Sequence, residues 1–494
     1  MSFILSSGDS MKQIFIGIDL GSSGIRVEVY DIEGNLIAIG KEPISNQTGE
    51  EWLRALEASV PNIVKECINC EKHVSVTSTS GTLIGVSKYG EIVYGPLMYY
   101  ERADEWYEKI KNYNSIKMLN EKGVKIDRTS PPVKILKLKN ERRDIYDNVR
   151  WFISPTTYLL YKLYYDEGKI WEDVCMDYTN ALKFGIDITS SPPRWFYSLY
   201  DELGIDMDKL PKLAPVGEAI GVAKSRFAEK IGLKNARLYQ GLTDGNAAAI
   251  AGGAVDTGDI NIYIGTTTVP KIAIDKIVTH PALYYHIHPI KGYLAGSATG
   301  FTGAFLSWFS EKVLGIPLDK ASEYVEKVKA GSEYMFFPYG DRGPTYNPLL
   351  EPAIIGIKIS DEPKEILLGR FIRSIMLGIT LLENYFIELF RELFSINIGY
   401  VNLTGGGTKS KMWNKIRASI YGKRIIVHGD LVGTGIIIPL LIRNRFYSSI
   451  DEVKKVFLKP VDVVEPDESM IEIYRPYKEV FIKKWQKLQD LYRA

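Results

Sequence analysis

The stretch that decides the fold lies near the start of the chain and reads Ile14-Phe15-Ile16-Gly17-Ile18-Asp19-Leu20-Gly21-Ser22-Ser23-Gly24-Ile25-Arg26. Its first six residues form an apolar run that ends in a carboxylate, which is typical of a buried strand. Residues 21–24 predict a tight turn, and residues 25–30 alternate as a second strand does. Another turn at 33–35 leads into an apolar run at 36–39. The chain is therefore predicted to open with three antiparallel strands.

The second half of the chain repeats this pattern. Residues 259–264 predict a strand, Gly265-Thr266-Thr267-Thr268 a hydroxyl-rich turn, and residues 269–274 the returning strand. Two such elements, one in each half, indicate a duplicated two-domain architecture. We place the boundary near Gly253, which gives a flexible tail at 1–11 and domains at 12–253 and 254–494. Between the two elements, residues 219–232 are predicted to form a helix.

Both turns have the components of a phosphate site. Glycine lets backbone amides approach an anion, hydroxyl groups donate to phosphate oxygens, and a strand-end carboxylate such as Asp19 can hold Mg²⁺. A plain hairpin turn, with Asp19 accepting hydrogen bonds from local amides, explains the same residues. Taken alone, neither turn separates the two interpretations.

Two further features point to a nucleotide and a base. Gly405-Gly406-Gly407-Thr408-Lys409-Ser410 stands between a predicted strand and a predicted helix, where a nucleotide could lie against backbone amides. The segment lacks the spacing of a Walker A loop, and a tight strand-to-helix turn would also need its glycines. Asp244 precedes a run of alanines and glycines, so it is either a helix N-cap or a base in a cleft.

Composition and charge exclude several classes of protein. Lysine and arginine number 61 and aspartate and glutamate 60 in the 494 residues, so the net charge is +1. A protein that coats nucleic acid or an anionic membrane would carry a basic surplus. No apolar run is long enough to span a bilayer. We therefore expect neither kind of partner. Because the three cysteines cannot make a framework of disulfide bridges, we expect the protein in the reducing cytoplasm. Cys67, Cys70, His286 and His288 lack the further ligands of a metal site.

The first hairpin, Asp244, the second hairpin and the glycine loop, in that order, resemble the FGGY family of sugar kinases, within the actin and hexokinase superfamily. The similarity extends from Ile14 to about Ile442. The supporting stretches are residues 154–163, 177–181, 302–309 and 337–339. The resemblance implies an α/β fold of two ribonuclease H-like (actin/hexokinase-type) domains with a central cleft, which would close over the substrates and exclude water.

The resemblance also implies ATP and Mg²⁺ as cofactors and assigns residues to them. Asp244 would be the general base, and Asp19 would position Mg²⁺ through water. The implied ATP contacts are Gly21, Ser22, Ser23, Arg26, Gly265, Thr266, Thr267, Gly303, Gly405, Gly406, Gly407 and Ser410. Phosphoryl transfer needs an oriented hydroxyl, a clamped γ-phosphate and a carboxylate that accepts the proton, and this set would supply all three.

The resemblance implies a small sugar as the acceptor. Glycerol kinases carry an Arg-Glu pair, and bacterial xylulokinases a Met-His pair, where this chain has Ser80-Gly81. The surrounding 78–82 and residues 177–183 look more like a branch that includes D-ribulose kinases often labelled xylulokinase. We expect a ketopentose such as D-xylulose or D-ribulose. The expected sugar contacts are Ser80, Gly81, Glu101, Arg102, Asp177 and Asp244.

Three alternatives stay open at the level of sequence. Glycerol kinase is the nearest, although the Arg-Glu pair is missing. An actin-like filament subunit or a chaperone-like ATPase belongs to another class, but neither needs a base such as Asp244. A degenerate sugar-binding regulator would not need the aspartates. The expected partners are the sugar and ATP, and a homodimer is a further expectation.

Overall fold

The computed structural model describes residues 12–67, 69–338 and 351–491. The predicted tail at 1–11 and Tyr339, the last residue of the stretch 337–339, lie outside these residues. Within the described ranges, no helix combines the length and the apolar character needed to cross a membrane.

The chain folds as two compact units. The first contains the residues up to Ala251 together with Ile287–Lys291 and Leu431–Phe457, and the second contains the rest. The predicted division after Gly253 would have placed residues 431–457 in the second domain. They join the first unit because Gly433 packs on its opening strand, where a Cβ on Gly17 would lie 3.2 Å from Gly433 Cα.

Strands and helices alternate through residues 12–251. The strands are β1 Gln13–Leu20, β2 Gly24–Asp31, β3 Leu36–Pro43, β4 Glu71–Ser78, β5 Leu83–Val86, β6 Ile92–Leu97, β7 Trp151–Ile153, β8 Cys175–Asp177, β9 Ile186–Asp187, β10 Arg194–Trp195, β11 Lys212–Ala214, β12 Ala219–Val222, β13 Arg237–Tyr239 and β14 Leu242–Thr243. The helices are α1 Gly49–Val64, α2 Asp104–Ile110, α3 Asn114–Glu121, α4 Pro131–Glu141, α5 Arg143–Asn148, α6 Pro155–Tyr164, α7 Tyr178–Ala181, α8 Tyr197–Leu203, α9 Arg226–Lys230 and α10 Asp244–Ala251.

The remaining residues follow the same alternation. The strands are β15 Ile260–Ile264, β16 Thr268–Ile274, β17 Tyr284–Ile287, β18 Tyr293–Gly296, β19 Met335–Phe337, β20 Ala353–Ile355, β21 Tyr400–Thr404, β22 Arg424–Val427 and β23 Asp462–Val464. The helices are α11 Thr302–Trp308, α12 Ala321–Glu326, α13 Lys364–Phe394, α14 Lys411–Tyr421, α15 Gly433–Arg443, α16 Ile450–Phe457 and α17 Glu468–Leu491.

The large sheet of the first unit confirms the predicted opening. Strands β1, β2 and β3 are antiparallel, and β4 and β13 continue the sheet in parallel with β1. The apolar side chains of β1, such as Ile16 and Ile18, are fully buried, together with Trp52 and Leu56 of α1. Burial of this apolar surface fixes the register, since a shift by one residue would turn it outward.

The large sheet of the second unit has the same topology. Strands β15, β16 and β18 are antiparallel, and β21 and β22 continue in parallel with β15. In both sheets the first strand of the hairpin, β1 or β15, pairs in parallel with a strand that comes later in the chain, β4 or β21. The duplication inferred from two similar hairpins thus extends to the order and direction of five strands.

The helix predicted at 219–232 is wrong. Residues Ala219–Val222 form strand β12, which pairs with β13, and only Arg226–Lys230 are helical. The Ser225 side chain accepts a hydrogen bond from Ala228 N and so begins helix α9 at that point. Gly221 has φ +144, a conformation that glycine adopts readily and a helix does not contain.

Candidate active site

Two aspartates of the first unit lie at the ends of β1 and β14, two strands that each pair with β4. Asp19 is opposite Thr77 in the pairing of β1 with β4, and Thr243 is opposite Ser78 in the pairing of β14 with β4. Because both pairings are parallel, Asp19 and Asp244 flank the carboxyl end of β4. Asp244 begins helix α10, and its Oδ1 accepts a hydrogen bond of 2.6 Å from Gly245 N.

The electrostatics of Asp19 reflect this placement. Burial, and then the negative charge of Asp244, raise the pKa of Asp19 to about 7. Arg26, its partner across the hairpin, opposes that increase, while Glu28 adds to it. Asp19 therefore stands in a site where a second carboxylate disfavours its ionised form, which is the arrangement that a cation or a proton would relieve.

Small residues allow helix α10 to approach its neighbours. A Cβ on Gly435 of α15 would lie 1.9 Å from the carbonyl oxygen of Ala247. A Cβ on Gly241, just before Asp244, would lie 1.8 Å from Val76 O on β4. Glycine is thus needed at positions 241 and 435, and the close packing that it allows holds the start of α10 at the strand ends.

The raised pKa of Asp19 predicts a pH-dependent contribution to stability. Between about pH 4 and 7 the folded protein binds a proton at Asp19 that the unfolded chain releases, so this contribution falls as pH rises. The slope is at most about 1.4 kcal/mol per pH unit. Asp19→Asn removes it. We therefore expect the unfolding temperature of Asp19→Asn, relative to wild type, to rise from pH 4.5 to pH 7.5 without nucleotide or metal. Parallel profiles for the two proteins would contradict the assignment.

The first hairpin presents its tip to solvent. Ser22 and Ser23 are exposed, and Gly21 N donates to Gly24 O at 2.9 Å to close the turn. The side chain of Gln47 donates to Ser22 O at 2.6 Å and braces the tip. The serine hydroxyls and the predicted phosphate-binding amides are thus held on a supported loop.

The second hairpin is supported by helix α11 instead. Gly265 N donates to Thr267 O at 3.0 Å, and Thr266 is exposed at the tip. A Cβ on Gly303 would lie 2.0 Å from Gly265 O, so only glycine permits the helix to pack on the turn. This contact gives Gly303 a packing role, and its predicted contact with ATP stays a prediction.

The three glycines after β21 differ in what surrounds them. A Cβ on Gly405 would lie 2.5 Å from Ile264 O, and a Cβ on Gly407 would lie 2.3 Å from the Ile264 side chain. Around Gly406, by contrast, a Cβ would meet no described atom within 4 Å. Gly405 and Gly407 therefore seat the loop on β15, and Gly406 faces open space.

The open space beside Gly406 belongs to a cavity of about 320 Å³ in the second unit. Its walls are largely apolar and come from four helices, α11 to α14, together with the glycine loop and the segment before α12. The lining residues are Leu306, Leu318, Asp319, Ala321, Ser322, Met376, Gly406, Gly407, Lys409, Ser410 and Trp413. A flat heterocycle suits such a lining. Ser410 is also the N-cap of α14, since its Oγ accepts from Trp413 N.

A buried ion pair supports the wall of this cavity. Arg417 and Glu383 are both completely buried and form a 2.9 Å bond. Arg417 also donates to Gly407 O at 3.2 Å and lies 3.8 Å from the centre of the Trp413 ring. Tyr421 donates its hydroxyl to Glu383 at 2.5 Å. The glycine loop is therefore held by a charged network that no motif predicted.

The predicted sugar segment lies just past the end of β4. Ser80 Oγ is buried and has no hydrogen-bond partner among the described residues. Gly81 has φ +85, and a Cβ there would lie 3.6 Å from Lys183 Cγ. Thr79 and Thr82 hold the turn by a 2.7 Å bond between their hydroxyls. A buried hydroxyl without a partner marks a place where a ligand oxygen would be stabilised.

The other three predicted sugar contacts have local partners. Both carboxylate oxygens of Asp177 accept hydrogen bonds from Thr179 and Asn180, so this completely buried residue caps helix α7. Glu101 is exposed and accepts from Met98 N, and Arg102, 53% exposed, pairs with Asp104. The structure brings Ser80 and Gly81 together with Lys183, a residue that sequence reasoning did not select.

Residues 14–251 match the model of the FGGY family of carbohydrate kinases, N-terminal domain. These residues therefore form an FGGY-family N-terminal domain. The chain is a sugar kinase that uses ATP.

The similarity of this kinase to known proteins extends over both units. Gluconokinase of Bacillus subtilis (strain 168) is 23% identical over 451 residues, which cover 84% of each chain. Xylulose kinase of Staphylococcus epidermidis is 23% identical over 517 residues, covering 97% of this chain and 98% of the relative. The crystal structure of Plasmodium falciparum glycerol kinase with ADP superposes with a TM-score of 0.84 at 18% identity, covering 99% of this chain and 100% of that one. The predicted fold class, α/β with two actin/hexokinase-type domains, is confirmed.

Proposed function

We propose that this kinase transfers the γ-phosphate of ATP to a hydroxyl of a ketopentose, D-ribulose or D-xylulose. The proposal rests on the segment at the end of β4. There the small neutral residues Ser80 and Gly81 stand where glycerol kinases carry a charged Arg-Glu pair. Ser80 offers a buried hydroxyl without a partner, and Gly81 has no side chain to fill the space. Because a site selects a sugar by pairing its hydroxyls with buried polar groups, a neutral polyhydroxylated substrate suits this segment.

Asp244 is the proposed general base. It lies at the start of α10 and is held there by the packing of small residues on β4 and α15. An ionised carboxylate in this position can accept the proton of the attacking sugar hydroxyl, which makes the oxygen a better nucleophile as the phosphoryl group is transferred.

Asp19 is the proposed partner of Mg²⁺. In proteins this ion is bound by one or two carboxylates together with water and substrate phosphates. Asp19 fits, since burial and then the negative charge of Asp244 raise its pKa, and a cation would stabilise the ionised carboxylate. In the described ranges, no cluster of three or more His, Cys, Asp or Glu side chains could hold a metal by itself. When bound, Mg²⁺ neutralises phosphate charge.

The residues proposed to bind ATP fall into two groups. In the second unit, the cavity beside Gly406 has the apolar lining and size for an adenosine group. The amides and hydroxyls proposed to bind phosphates come from Gly21, Ser22, Ser23 and Arg26 of the first hairpin, and from Gly265, Thr266 and Thr267 of the second. Gly303 and Ser410 complete the proposed contacts.

The substrate proposal is tested by enlarging Ser80. We expect Ser80→Leu to lower kcat/KM for D-ribulose and D-xylulose at least about tenfold, because the leucine both fills the space and removes the hydroxyl. Basal hydrolysis of ATP should stay within about twofold. Ser198→Leu, at an exposed helical position, is the matched control.

The variants are assayed with ATP and D-ribulose, D-xylulose, L-ribulose, gluconate, erythritol and glycerol. Unchanged pentulose kinetics in Ser80→Leu would show that substrate contacts lie elsewhere. A wild-type preference for gluconate, erythritol or glycerol would contradict the ketopentose assignment and leave the carbohydrate kinase class intact.

A further inference from the structure

The aspartate proposed as the general base follows a strand of only two residues. Strand β14, Leu242–Thr243, comes directly before Asp244, and in the described part of the chain it pairs with no strand other than β4. So short a strand makes few hydrogen bonds to its neighbour, and its remaining buried backbone groups need other partners. These partners hold the start of α10, and with it Asp244.

Threonine hydroxyls take the place of a second neighbouring strand. Thr77 Oγ1 donates to Leu242 O at 2.9 Å, and Thr156 Oγ1 donates to the same oxygen at 3.4 Å. Thr179 Oγ1 accepts from Thr243 N at 3.0 Å. All three threonines are completely buried. Because Leu242 O and Thr243 N belong to one peptide group, both polar ends of that peptide are held by hydroxyls.

The hydroxyl of Thr179 is oriented by a buried carboxylate. It donates to Asp177 Oδ1 at 2.5 Å, and this hydrogen bond is charge-assisted. Because a hydroxyl has one proton, donation to Asp177 leaves its lone pairs for Thr243 N. Asp177 also accepts from Thr179 N, Asn180 N and Asn180 Nδ2. Burial raises the pKa of Asp177, and these four hydrogen bonds oppose the increase by stabilising the ionised form.

Thr243 is held through its backbone. Its own Oγ1 is buried and has no hydrogen-bond partner among the described residues. Loss of the Thr179 hydroxyl would leave the Thr243 N–H buried without that acceptor, which is unfavourable, so the end of β14 would shift toward another partner. Because Asp244 is the next residue, such a shift would also move its carboxylate.

We propose that Thr179 and Asp177 are positioning residues for the general base. The inference rests on the proposed function in taking Asp244 as that base, and it holds for whichever sugar is phosphorylated. The Asp177 carboxylate orients the hydroxyl of Thr179, and the hydroxyl holds the peptide group before Asp244. Proton transfer needs a base within hydrogen-bond reach of the attacking hydroxyl, and a misplacement of about 1 Å can lower a rate about a hundredfold.

The test compares Thr179→Val, which keeps the shape of the side chain and removes the hydroxyl, with Thr179→Ser, which keeps the hydroxyl. Both are assayed with ATP and the sugar that wild type phosphorylates fastest. Thr179→Val should lower kcat about tenfold to a hundredfold, while KM for the sugar and the dissociation constant of ATP stay within about threefold. Thr179→Ser should restore kcat to within about threefold of wild type.

Ser419→Ala is the matched control. Ser419 is buried in the second unit, and its Oγ also accepts from the amide of a distant residue, Asp467 N at 3.1 Å. Removal of this hydroxyl should lower the unfolding temperature, as Thr179→Val does, and leave kcat at the wild-type value. An equal loss of kcat in the control would mean that reduced stability explains the effect, and would overturn the proposal.

A double variant separates positioning from a general structural role. If Thr179 acts through the base, Thr179→Val should lower kcat less than about twofold further in a chain that already carries Asp244→Asn. The full loss in that background would overturn the proposal. If Thr179→Val does not fold, Asp177→Asn decides the question, with kcat expected to fall at least about threefold. A raised KM for the sugar at unchanged kcat would show instead that Asp177 contacts the sugar.

Failure of this inference is distinguishable from failure of the proposed function. Wild-type kcat in Thr179→Val, together with slow turnover in Asp244→Asn, would overturn the positioning role and leave Asp244 as the base. Wild-type turnover in Asp244→Asn alone would overturn both.

Discussion

Replacement of Asp244 by asparagine is expected to lower kcat about 10²–10⁴-fold, the range for loss of a general base. Asparagine keeps the size of the side chain, and its amide oxygen can still accept the hydrogen bond from Gly245 N. It cannot accept the proton of the sugar hydroxyl. The dissociation constants of ATP and sugar should therefore stay within about threefold, and the loss should appear in kcat.

The same substitution removes the negative charge that contributes to the raised pKa of Asp19. The pKa of Asp19, followed by NMR of a labelled carboxyl carbon, should fall from about 7 in Asp244→Asn. Asp201→Asn, which changes an exposed aspartate of the first unit, is the control for both measurements. Sugar phosphorylation near the wild-type rate in Asp244→Asn would reduce Asp244 to a helix-capping residue.

Gly406→Val is expected to weaken ATP binding at least about tenfold, or roughly 1.4 kcal/mol, while sugar binding is unchanged. A Cβ on Gly406 meets no described atom within 4 Å, so the new side chain does not strain the loop against β15. It does occupy the space where the glycine lines the cavity, and so obstructs a nucleotide that approaches the backbone.

Calorimetric titration with ATP and with sugar separates the two effects of Gly406→Val. Gly399→Val is a matched control, because a Cβ there also meets nothing within 4 Å and Gly399 does not line the cavity. The control should bind ATP as wild type does. An unchanged ATP dissociation constant in folded Gly406→Val would mean that the loop is only a strand-to-helix turn.

The sequence alone predicted the two hairpins correctly, because the residues that specify a hairpin are close together in the chain. An apolar run, a turn of small residues and a second run specify β1 with β2 and β15 with β16, and the structure confirms both. The helix predicted at 219–232 failed for a tertiary reason. Its first residues pair with β13 as strand β12, and spacing along the chain does not report on that pairing.

The site was less predictable where distant segments meet. Met376 and Trp413 line the cavity from separate helices, and each carries the apolar character of any core residue. The Arg417–Glu383 pair that holds the glycine loop joins residues 34 positions apart. Asp177 shows another limit of sequence patterns, because its motif was visible while its hydrogen bonds to its own helix were not, and its contact with the sugar stays a prediction. Patterns identified the residue types, and only the fold determined which way they face.

The most direct test of the account compares the steady-state kinetics of wild type with D-ribulose, D-xylulose and glycerol at saturating ATP and Mg²⁺. Product phosphate esters are identified by mass spectrometry, so that turnover is separated from idle hydrolysis. We expect kcat/KM for D-ribulose or D-xylulose to exceed that for glycerol at least about tenfold, a difference of roughly 1.4 kcal/mol in transition-state binding. A value for glycerol equal to or above both pentuloses would contradict the ketopentose assignment.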